Sequence, residues 1–283
     1  MIVDAHAGFA AAIDWSPDSA TLATAGMDGF LRLWDRRTGN NVGEVRAHQA
    51  AVNGAAFTSL GREVVTGSSN SEVRLWALPD LDLRYELFGH SDRVGAVAAH
   101  AHGSPIVSAS DDGSVLVFTE PGKSLKVEGL GGRMTTVDLS ADGTLVAAAG
   151  HGGEVLVFDL IKGTSQRLEG HERAVGSVAF STSGLQLFTL GAEGVVRIWD
   201  TSSWMVEEAV PVGGFGPLAV APGGSLMAVA IDGSIVTINR NGSIVGTREW
   251  DGGDVYAMAY APDSSHLGAV CTDGTLRLWP TDF

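Results

Sequence analysis

Histidine, hydroxyl and acidic residues recur at fixed spacings in this 283-residue sequence. Four histidines precede a large apolar residue by the same separation: His6 before Trp34, His48 before Trp76, His90 before Phe118 and His171 before Trp199. A hydroxyl side chain lies ten residues before the same apolar positions, at Thr24, Thr66, Ser108 and Thr189. The residues six before them are Asp28, Asn70, Asp112 and Glu193. Taken alone, one such set could supply the nucleophile, base and orienting acid of covalent catalysis.

The repetition of the set favours a structural role. Histidine and hydroxyl occur together, and the three units without the histidine have alanine at the hydroxyl position: Ala148, Ala228 and Ala269. A buried hydrogen-bonded pair predicts this, because losing one partner leaves the other unsatisfied. An enzyme needs its site only once. Only the first unit has the full set His6–Thr24–Asp28–Trp34, so we predict a structural network and no catalytic residues.

These residues are positioned by a repeat that fills the chain. The recurring segments are FLRLWD, EVRLWA, SVLVFT, EVLVFD, VVRIWD, SIVTIN and TLRLWP. Their large apolar residues recur at nearly constant separation, at Trp34, Trp76, Phe118, Phe158, Trp199, Ile238 and Trp279. Within each unit apolar residues alternate with period two. Asp-Gly turns such as Asp28-Gly29 lie just before the recurring segment. The pattern predicts seven antiparallel units of three or four strands.

Two dipeptides relate the repeat to a known family. Gly-His occurs at Gly89-His90 and Gly170-His171, and Trp-Asp at Trp34-Asp35 and Trp199-Asp200. With these motifs and this repeat length, the chain resembles the WD (Trp-Asp) repeat β-propeller family over essentially its whole length. The resemblance implies an all-β fold, a single seven-bladed propeller over residues 1–283 with four-stranded antiparallel blades. It also implies that Asp, His, Ser/Thr and Trp side chains form a chain of hydrogen bonds within a blade. Trp76 and Trp199 would belong to such networks.

Propellers of this kind close by adding an N-terminal strand to the last blade. The outer strand of a unit precedes its histidine, as Asn41–Arg46 precedes His48, but only residues 1–4 are available before His6. We predict that residues 1–3 form a short outer strand against Leu276–Trp279. The alternative is a three-stranded last blade with an unprotected edge.

The resemblance implies a non-catalytic binding module whose partner contacts the face around the central channel. Carried over position by position, the resemblance places six polar residues on this face: Asn53, Arg93, Asp111, Arg133, Thr135 and His151. The face also receives an apolar set: Phe9, Met27, Phe215, Ile231 and Tyr256. Together they would form an apolar anchor beside a polar rim. Alternatively, Phe215 and Ile231 plug the channel, and the sequence leaves both interpretations open.

Charge limits the class of partner. The chain has 18 Lys and Arg against 33 Asp and Glu, a formal net charge of −15. Nucleic acids and anionic membranes need clustered positive charge, so neither is an expected partner. We expect a monomeric propeller that binds a neutral or basic protein or peptide.

Few residues suggest a cofactor, a metal or an export route. Cys271 is the only cysteine, and His100, His102 and His151 lack partners at metal-ligand spacing, so no cofactor or metal is expected. The N-terminus lacks a signal-peptide pattern and no apolar run is long enough to span a membrane, which predicts a cytoplasmic protein. Two alternatives stay open: an enzyme with its site at the channel mouth, and a recognition domain of a longer protein.

Overall fold

Seven four-stranded antiparallel sheets form a ring in the computed structural model, which describes residues 1–120, 122–128, 132–249 and 252–281. One short 3-10 helix, Ser59–Gly61, lies among the strands. The predicted all-β, seven-bladed propeller is confirmed. Each large apolar residue of the repeat lies in the third strand of its blade.

The strands of the first four blades follow the repeat. Blade one consists of β2 (Ala10–Trp15), β3 (Thr21–Gly26), β4 (Phe30–Asp35) and β5 (Asn41–Arg46). Blade two consists of β6 (Val52–Thr58), β7 (Glu63–Ser68), β8 (Val73–Ala77) and β9 (Asp82–Leu87). Blade three consists of β10 (Val94–Ala99), β11 (Ile106–Ser110), β12 (Ser114–Glu120) and β13 (Lys123–Glu128). Blade four consists of β14 (Met134–Leu139), β15 (Leu145–Gly150), β16 (Val155–Asp159) and β17 (Thr164–Leu168).

The last three blades complete the ring. Blade five consists of β18 (Val175–Phe180), β19 (Gln186–Gly191), β20 (Val195–Asp200) and β21 (Val206–Pro211). Blade six consists of β22 (Leu218–Val220), β23 (Leu226–Ile231), β24 (Ser234–Asn239) and β25 (Ile244–Glu249). Blade seven consists of β26 (Val255–Tyr260), β27 (His266–Cys271), β28 (Thr275–Pro280) and the N-terminal β1 (Ile2–Asp4). The first strands of successive blades contact each other and line the central channel.

The core lies between the blades. Each adjacent pair of blades shares a cluster of buried apolar side chains, for example Leu31 and Leu33 of blade one with Phe57 and Trp76 of blade two. The equivalent clusters continue around the ring and return from blade seven to blade one. Because both faces of each sheet are covered, both sets of alternating residues are apolar. This explains why the strand segments showed little polar alternation.

The Asp-Gly hairpins require glycine. Gly29 and Gly274 both have φ +84°, in the left-handed region that disfavours side chains. A Cβ atom at Gly274 would lie 2.2 Å from the carbonyl oxygen of His6. This turn therefore brings the last blade against the N-terminal segment.

The ring closes as predicted, through an N-terminal strand on the last blade. In this strand Ile2 pairs with Arg277 and Val3 with Leu276. The amino group of Met1 donates to the Leu278 carbonyl oxygen at 2.8 Å, and the Leu278 N–H donates to the Met1 carbonyl oxygen at 2.9 Å. The strand is Ile2–Asp4 and not residues 1–3, because Met1 contributes only this terminal pair of hydrogen bonds.

Deletion of residues 1–4 is expected to lower the free energy of unfolding by about 2 kcal/mol, since several backbone hydrogen bonds are lost and the edge of β28 is exposed. Guanidinium unfolding measures the change, and light scattering detects edge-to-edge association. Ile2→Thr is the control, because it alters an exposed side chain but keeps the backbone pairing. An unchanged unfolding midpoint after deletion would show that β1 does not hold the ring closed.

Candidate functional site

Each of the four repeated histidines lies in hydrogen-bonding contact with the hydroxyl of its own blade. The Nε2 to hydroxyl oxygen distances are 2.9 Å for His6–Thr24, 2.8 Å for His48–Thr66, 2.8 Å for His90–Ser108 and 2.7 Å for His171–Thr189. The loop before the first strand of the blade carries the histidine, and the second strand carries the hydroxyl. The antiparallel register therefore brings together residues that are well separated in sequence.

The other ring nitrogen of each histidine faces a carboxylate. Its Nδ1 atom lies 2.9 Å from Asp28 in blade one, 3.0 Å from Asp112 in blade three and 2.6 Å from Glu193 in blade five. In blade two the carboxylate comes from Glu72 at 3.2 Å, and not from the position of Asn70. Glu72 lies two residues further along the hairpin, and its longer side chain reaches the same ring. Its place in the same turn was the sequence signal that the fixed spacing missed.

The tryptophan completes three of these networks and not only the first. The indole Nε1 of Trp34, Trp76 and Trp199 donates to the hydroxyl of Thr24, Thr66 and Thr189 at 2.8, 2.9 and 2.9 Å. The expectation of a single complete set was wrong, because Glu193 supplies the acid in blade five and Glu72, two residues beyond Asn70, supplies it in blade two. Blade three lacks the indole donor, since Phe118 occupies that position.

Arginines that the sequence analysis missed hold the acids in place. Arg32 Nη1 lies 2.8 Å from Asp28 Oδ2, and Arg74 Nη2 lies 3.0 Å from Glu72 Oε2. Arg197 forms an ion pair with Glu193. All three arginines lie two residues before the tryptophan, so the repeat itself contained this signal. Each acid therefore bridges a histidine and a guanidinium.

Burial keeps these histidines neutral. Desolvation lowers the pKa of His6, His90 and His171, and lowers that of His48 to about 4, although the neighbouring carboxylates oppose the shift. Burial alone would raise the pKa of Asp28, but hydrogen bonds from His6 and Arg32 outweigh it and hold the pKa at about 2. A neutral ring donates from Nδ1 to the acid and accepts the hydroxyl proton at Nε2.

Burial keeps this hydroxyl out of reach of a substrate. Thr24 is fully buried, its proton is donated to His6 and its oxygen accepts from Trp34. A catalytic nucleophile must instead reach a substrate. The geometry therefore matches the requirements of a structural network.

Six of the predicted face residues line one cavity of about 590 Å³ at the channel mouth: Asn53, Arg93, Thr135, His151, Phe215 and Tyr256. Phe215 and Tyr256 are 49% and 42% exposed. A Cβ atom at Gly176 would lie 2.4 Å from the Phe215 ring, so this ring packs against the backbone of blade five and forms part of the cavity wall. An aromatic surface and hydrogen-bonding side chains thus share one concave site.

The other predicted face residues lie outside this cavity lining. Phe9 and Met27 are exposed neighbours, since the Met27 N–H donates to the Phe9 carbonyl oxygen at 2.9 Å. Asp111 and Arg133 lie beside Arg93. Ile231 packs against the cluster between blades five and six, which draws it away from the exposed surface.

Comparison with protein families identifies the repeat. The family model described as WD domain, G-beta repeat (WD40) matches residues 1–35, 39–77, 81–119, 163–200 and 242–280, about two thirds of the chain. The chain belongs to the WD40 family. The two long unmatched stretches of this WD40 protein, residues 120–162 and 201–241, include the first three strands of blades four and six, which lack both the repeated histidine and the tryptophan.

Curated relatives of the WD40 protein come from several organisms. It is 26% identical over 202 residues to Autophagy-related protein 16 of Arabidopsis thaliana, covering 70% of this chain and 40% of the relative. It is 28% identical over 287 residues to Ribosome biogenesis protein WDR12 homolog of Chlamydomonas reinhardtii, covering 92% and 60%. It is 28% identical over 200 residues to Actin-interacting protein 1 of Drosophila melanogaster, covering 68% and 33%. The chain therefore spans less than two thirds of the length of each of these relatives.

Two acidic residues lie deeper in the channel of this WD40 propeller, and the sequence analysis missed both. Asp14 and Asp138 line a second cavity of about 390 Å³, which shares Val178, Leu218 and Met258 with the mouth. The carboxylates accept the backbone N–H of Phe57 and Phe180, each at 2.7 Å, and so join blades one to two and four to five. Each is the only charged residue of its inner strand, which is the signal that could have identified them.

Burial raises the pKa of both channel acids. Desolvation raises the pKa of Asp14 to about 7, with a further contribution from the charge of Asp138, and raises that of Asp138 to about 6. Part of each side chain is accessible to the channel, while the rest is enclosed by the inner strands. Proton uptake by the folded WD40 ring near neutral pH is the expected consequence.

Among the residues that the structure describes, no group of three or more His, Cys, Asp or Glu side chains is arranged to hold a metal ion. His100 and His102 lie side by side with ring centroids 5.2 Å apart, and Cys271 is a buried free thiol. In the same part of this WD40 chain, no helix is both long and apolar enough to cross a bilayer.

Proposed function

We propose that this WD40 propeller is a non-catalytic interaction module that binds a protein or peptide at the channel mouth. The cavity of about 590 Å³ carries the proposal, because it combines the exposed rings of Phe215 and Tyr256 with polar side chains on the opposite blades. Hot spots of protein interfaces have this composition, with an aromatic anchor and a polar surround. The name of one relative, Actin-interacting protein 1, describes a protein interaction.

The histidine networks serve structure in this proposal. They occur in four blades, their hydroxyls are fully buried, and the mouth cavity contains none of their residues. Each network ties the loop before the first strand to the second and third strands of its blade. Binding residues can therefore vary at the mouth without loss of the blade geometry.

The expected partner is a protein that is neutral or basic overall, bound by one copy of the propeller. A net charge of −15 attracts cationic surfaces over long range and repels nucleic acid and anionic membranes. The cytoplasmic location expected from the sequence stays a prediction.

The double variant Phe9→Ala/Tyr256→Ala is expected to weaken partner binding tenfold or more, which corresponds to roughly 1.4 kcal/mol or greater. Affinity purification followed by mass spectrometry identifies proteins retained by the wild-type chain, and titration with the purified partner measures the change. Both side chains are exposed, so the fold is not expected to suffer.

The matched control is Ile161→Ala/Leu185→Ala, which removes two exposed apolar side chains from turns at the opposite end of the blades. This control should bind as the wild type does. Equal retention of every partner by the wild type and Phe9→Ala/Tyr256→Ala would reject the channel mouth as the binding face.

A further inference from the structure

Two arginines of the predicted face lie on neighbouring blades, three and four. Arg93 lines the mouth cavity and Arg133 extends from the neighbouring blade. Both guanidinium groups approach the same carboxylate oxygen, Oδ2 of Asp111, and each lies 3.9 Å from it. Two positive charges thus share one negative charge, in a protein whose acids greatly outnumber its bases.

These two ion pairs are unusually long. A charged N–H···O hydrogen bond is about 2.7–2.9 Å long, so at 3.9 Å neither arginine donates a proton to Asp111. Every other arginine with an ion pair in the described part of the chain has a carboxylate oxygen at 3.5 Å or closer. Arg93 and Arg133 therefore keep guanidinium donors available at the mouth.

The Asp111 carboxylate is buried beside the two arginines. Its side chain is only 8% exposed, its Oδ1 atom has no hydrogen-bond partner among the described residues, and its N–H donates to the Arg93 carbonyl oxygen at 2.8 Å. The nearby Asp92 carboxylate accepts the backbone N–H of Arg93 at 2.7 Å. The carboxylate of Asp111 lies behind the guanidinium groups, and Asp92 is bound to the backbone of Arg93, so neither acid forms a close ion pair with these guanidinium groups.

We propose that Arg93 and Arg133 bind the carboxylate of a glutamate or aspartate side chain on the partner peptide. The inference rests on the proposed function and names the chemistry of its anchor. A guanidinium has a planar set of donors that matches a carboxylate, and a carboxylate between two guanidinium groups would accept hydrogen bonds from the donors that Asp111 leaves free. A neighbouring apolar side chain of the peptide packs on Tyr256 and Phe215, which line the same cavity as Arg93.

A local acidic anchor agrees with a partner that is neutral or basic overall. Net charge governs long-range attraction, which salt screens beyond about 8 Å at physiological ionic strength. Contact at the mouth depends instead on the short-range hydrogen bonds of the arginine pair. The partner is thus expected to present one acidic residue next to an apolar one on a surface without net negative charge.

The test uses the full chain and a phage-displayed library of random twelve-residue peptides. Selection on the wild-type protein should enrich peptides with Asp or Glu within a few residues of an apolar or aromatic residue. Synthetic copies of the enriched peptides should bind Arg93→Gln/Arg133→Gln tenfold or more weakly. Changing the peptide's acidic residue to its amide should cause a similar loss on the wild type and little further loss on the variant.

The control variant is Arg37→Gln/Arg62→Gln, which removes the same charge at the opposite end of the blades and should bind the peptides normally. Enrichment of peptides without acidic residues, or equal binding by the wild type and Arg93→Gln/Arg133→Gln, would overturn the inference. If binding then still depends on Tyr256, the proposed function stands alone. If it depends on neither Tyr256 nor the arginines, both proposals fail. Should the arginine variant not fold, the paired acid and amide peptides on the wild-type chain decide the question.

Discussion

Thr66→Val should destabilise the propeller by about 3 kcal/mol, because one hydroxyl serves two buried partners. Its oxygen accepts from the Trp76 indole at 2.9 Å and lies 2.8 Å from Nε2 of His48. Valine has the same shape but no hydrogen-bonding group, so both partners lose their hydrogen bond in a site that is fully buried. Guanidinium unfolding monitored by circular dichroism measures the difference.

The control for this loss is Thr164→Val, which makes the same change at an exposed position on an outer strand and should shift stability by less than about 0.5 kcal/mol. Combining Thr66→Val with Trp76→Phe should cost less than the sum of the single changes, since the indole partner is already lost. Strict additivity of the two changes, or a wild-type stability for Thr66→Val, would contradict the proposed structural role of the network.

Asp14→Asn is expected to stabilise the ring at pH 8 and to leave its stability nearly unchanged at pH 4. Burial raises the pKa of folded Asp14 to about 7, above its ordinary value of 3.8 in the unfolded chain. The folded state therefore binds the proton more tightly, so the contribution of this group to stability is complete below pH 4 and is lost as the pH rises to 7. Asparagine keeps an oxygen for the Phe57 N–H and carries no charge.

The free energy of unfolding is expected to rise by about 2 kcal/mol at pH 8. This is less than the pKa shift of Asp14 would imply for a side chain fully shielded from water, because part of the side chain is accessible to the channel. Asp138 and Tyr260 are the other titratable groups that line this cavity among the described residues. The four repeated histidines act in the opposite direction. Their lowered pKa values make the protein less stable as the pH falls below 6.5, equally in the wild type and the variant.

Asp80→Asn is the matched control, because it removes the same charge from an exposed turn. Chemical unfolding of the wild type and both variants at pH 4 and pH 8 isolates the effect of Asp14. A stability difference that is independent of pH would show that the Asp14 carboxyl titrates in the folded protein as it does in the unfolded chain.

The fold could be predicted because the repeat is a local property of the chain. Apolar residues with period two, Asp-Gly turns and a large apolar residue at nearly constant separation specify strands and hairpins. Seven such units must cover both faces of their sheets, and a ring of blades achieves this. The closing strand was predicted at residues 1–3 and lies at Ile2–Asp4. Met1 forms two backbone hydrogen bonds with Leu278 but lies just before the strand itself.

The networks could be predicted only where their spacing is regular. His48 obtains its carboxylate from Glu72, two residues away from the expected position, since side-chain length decides which atom reaches a buried ring. The arginines beside the acids follow the repeat, but their role depends on where the guanidinium lies relative to the hairpin.

The repeated spacing of histidines, tryptophans and turns established the number of blades and their strand order, since these depend on periodicity along one chain. Only the folded ring shows that Asp14 and Asp138 share one channel, that Ile231 packs inward, and that Arg93 and Arg133 compete for Asp111. These contacts join different blades, and their distances depend on how neighbouring sheets pack, which no spacing within a single repeat specifies.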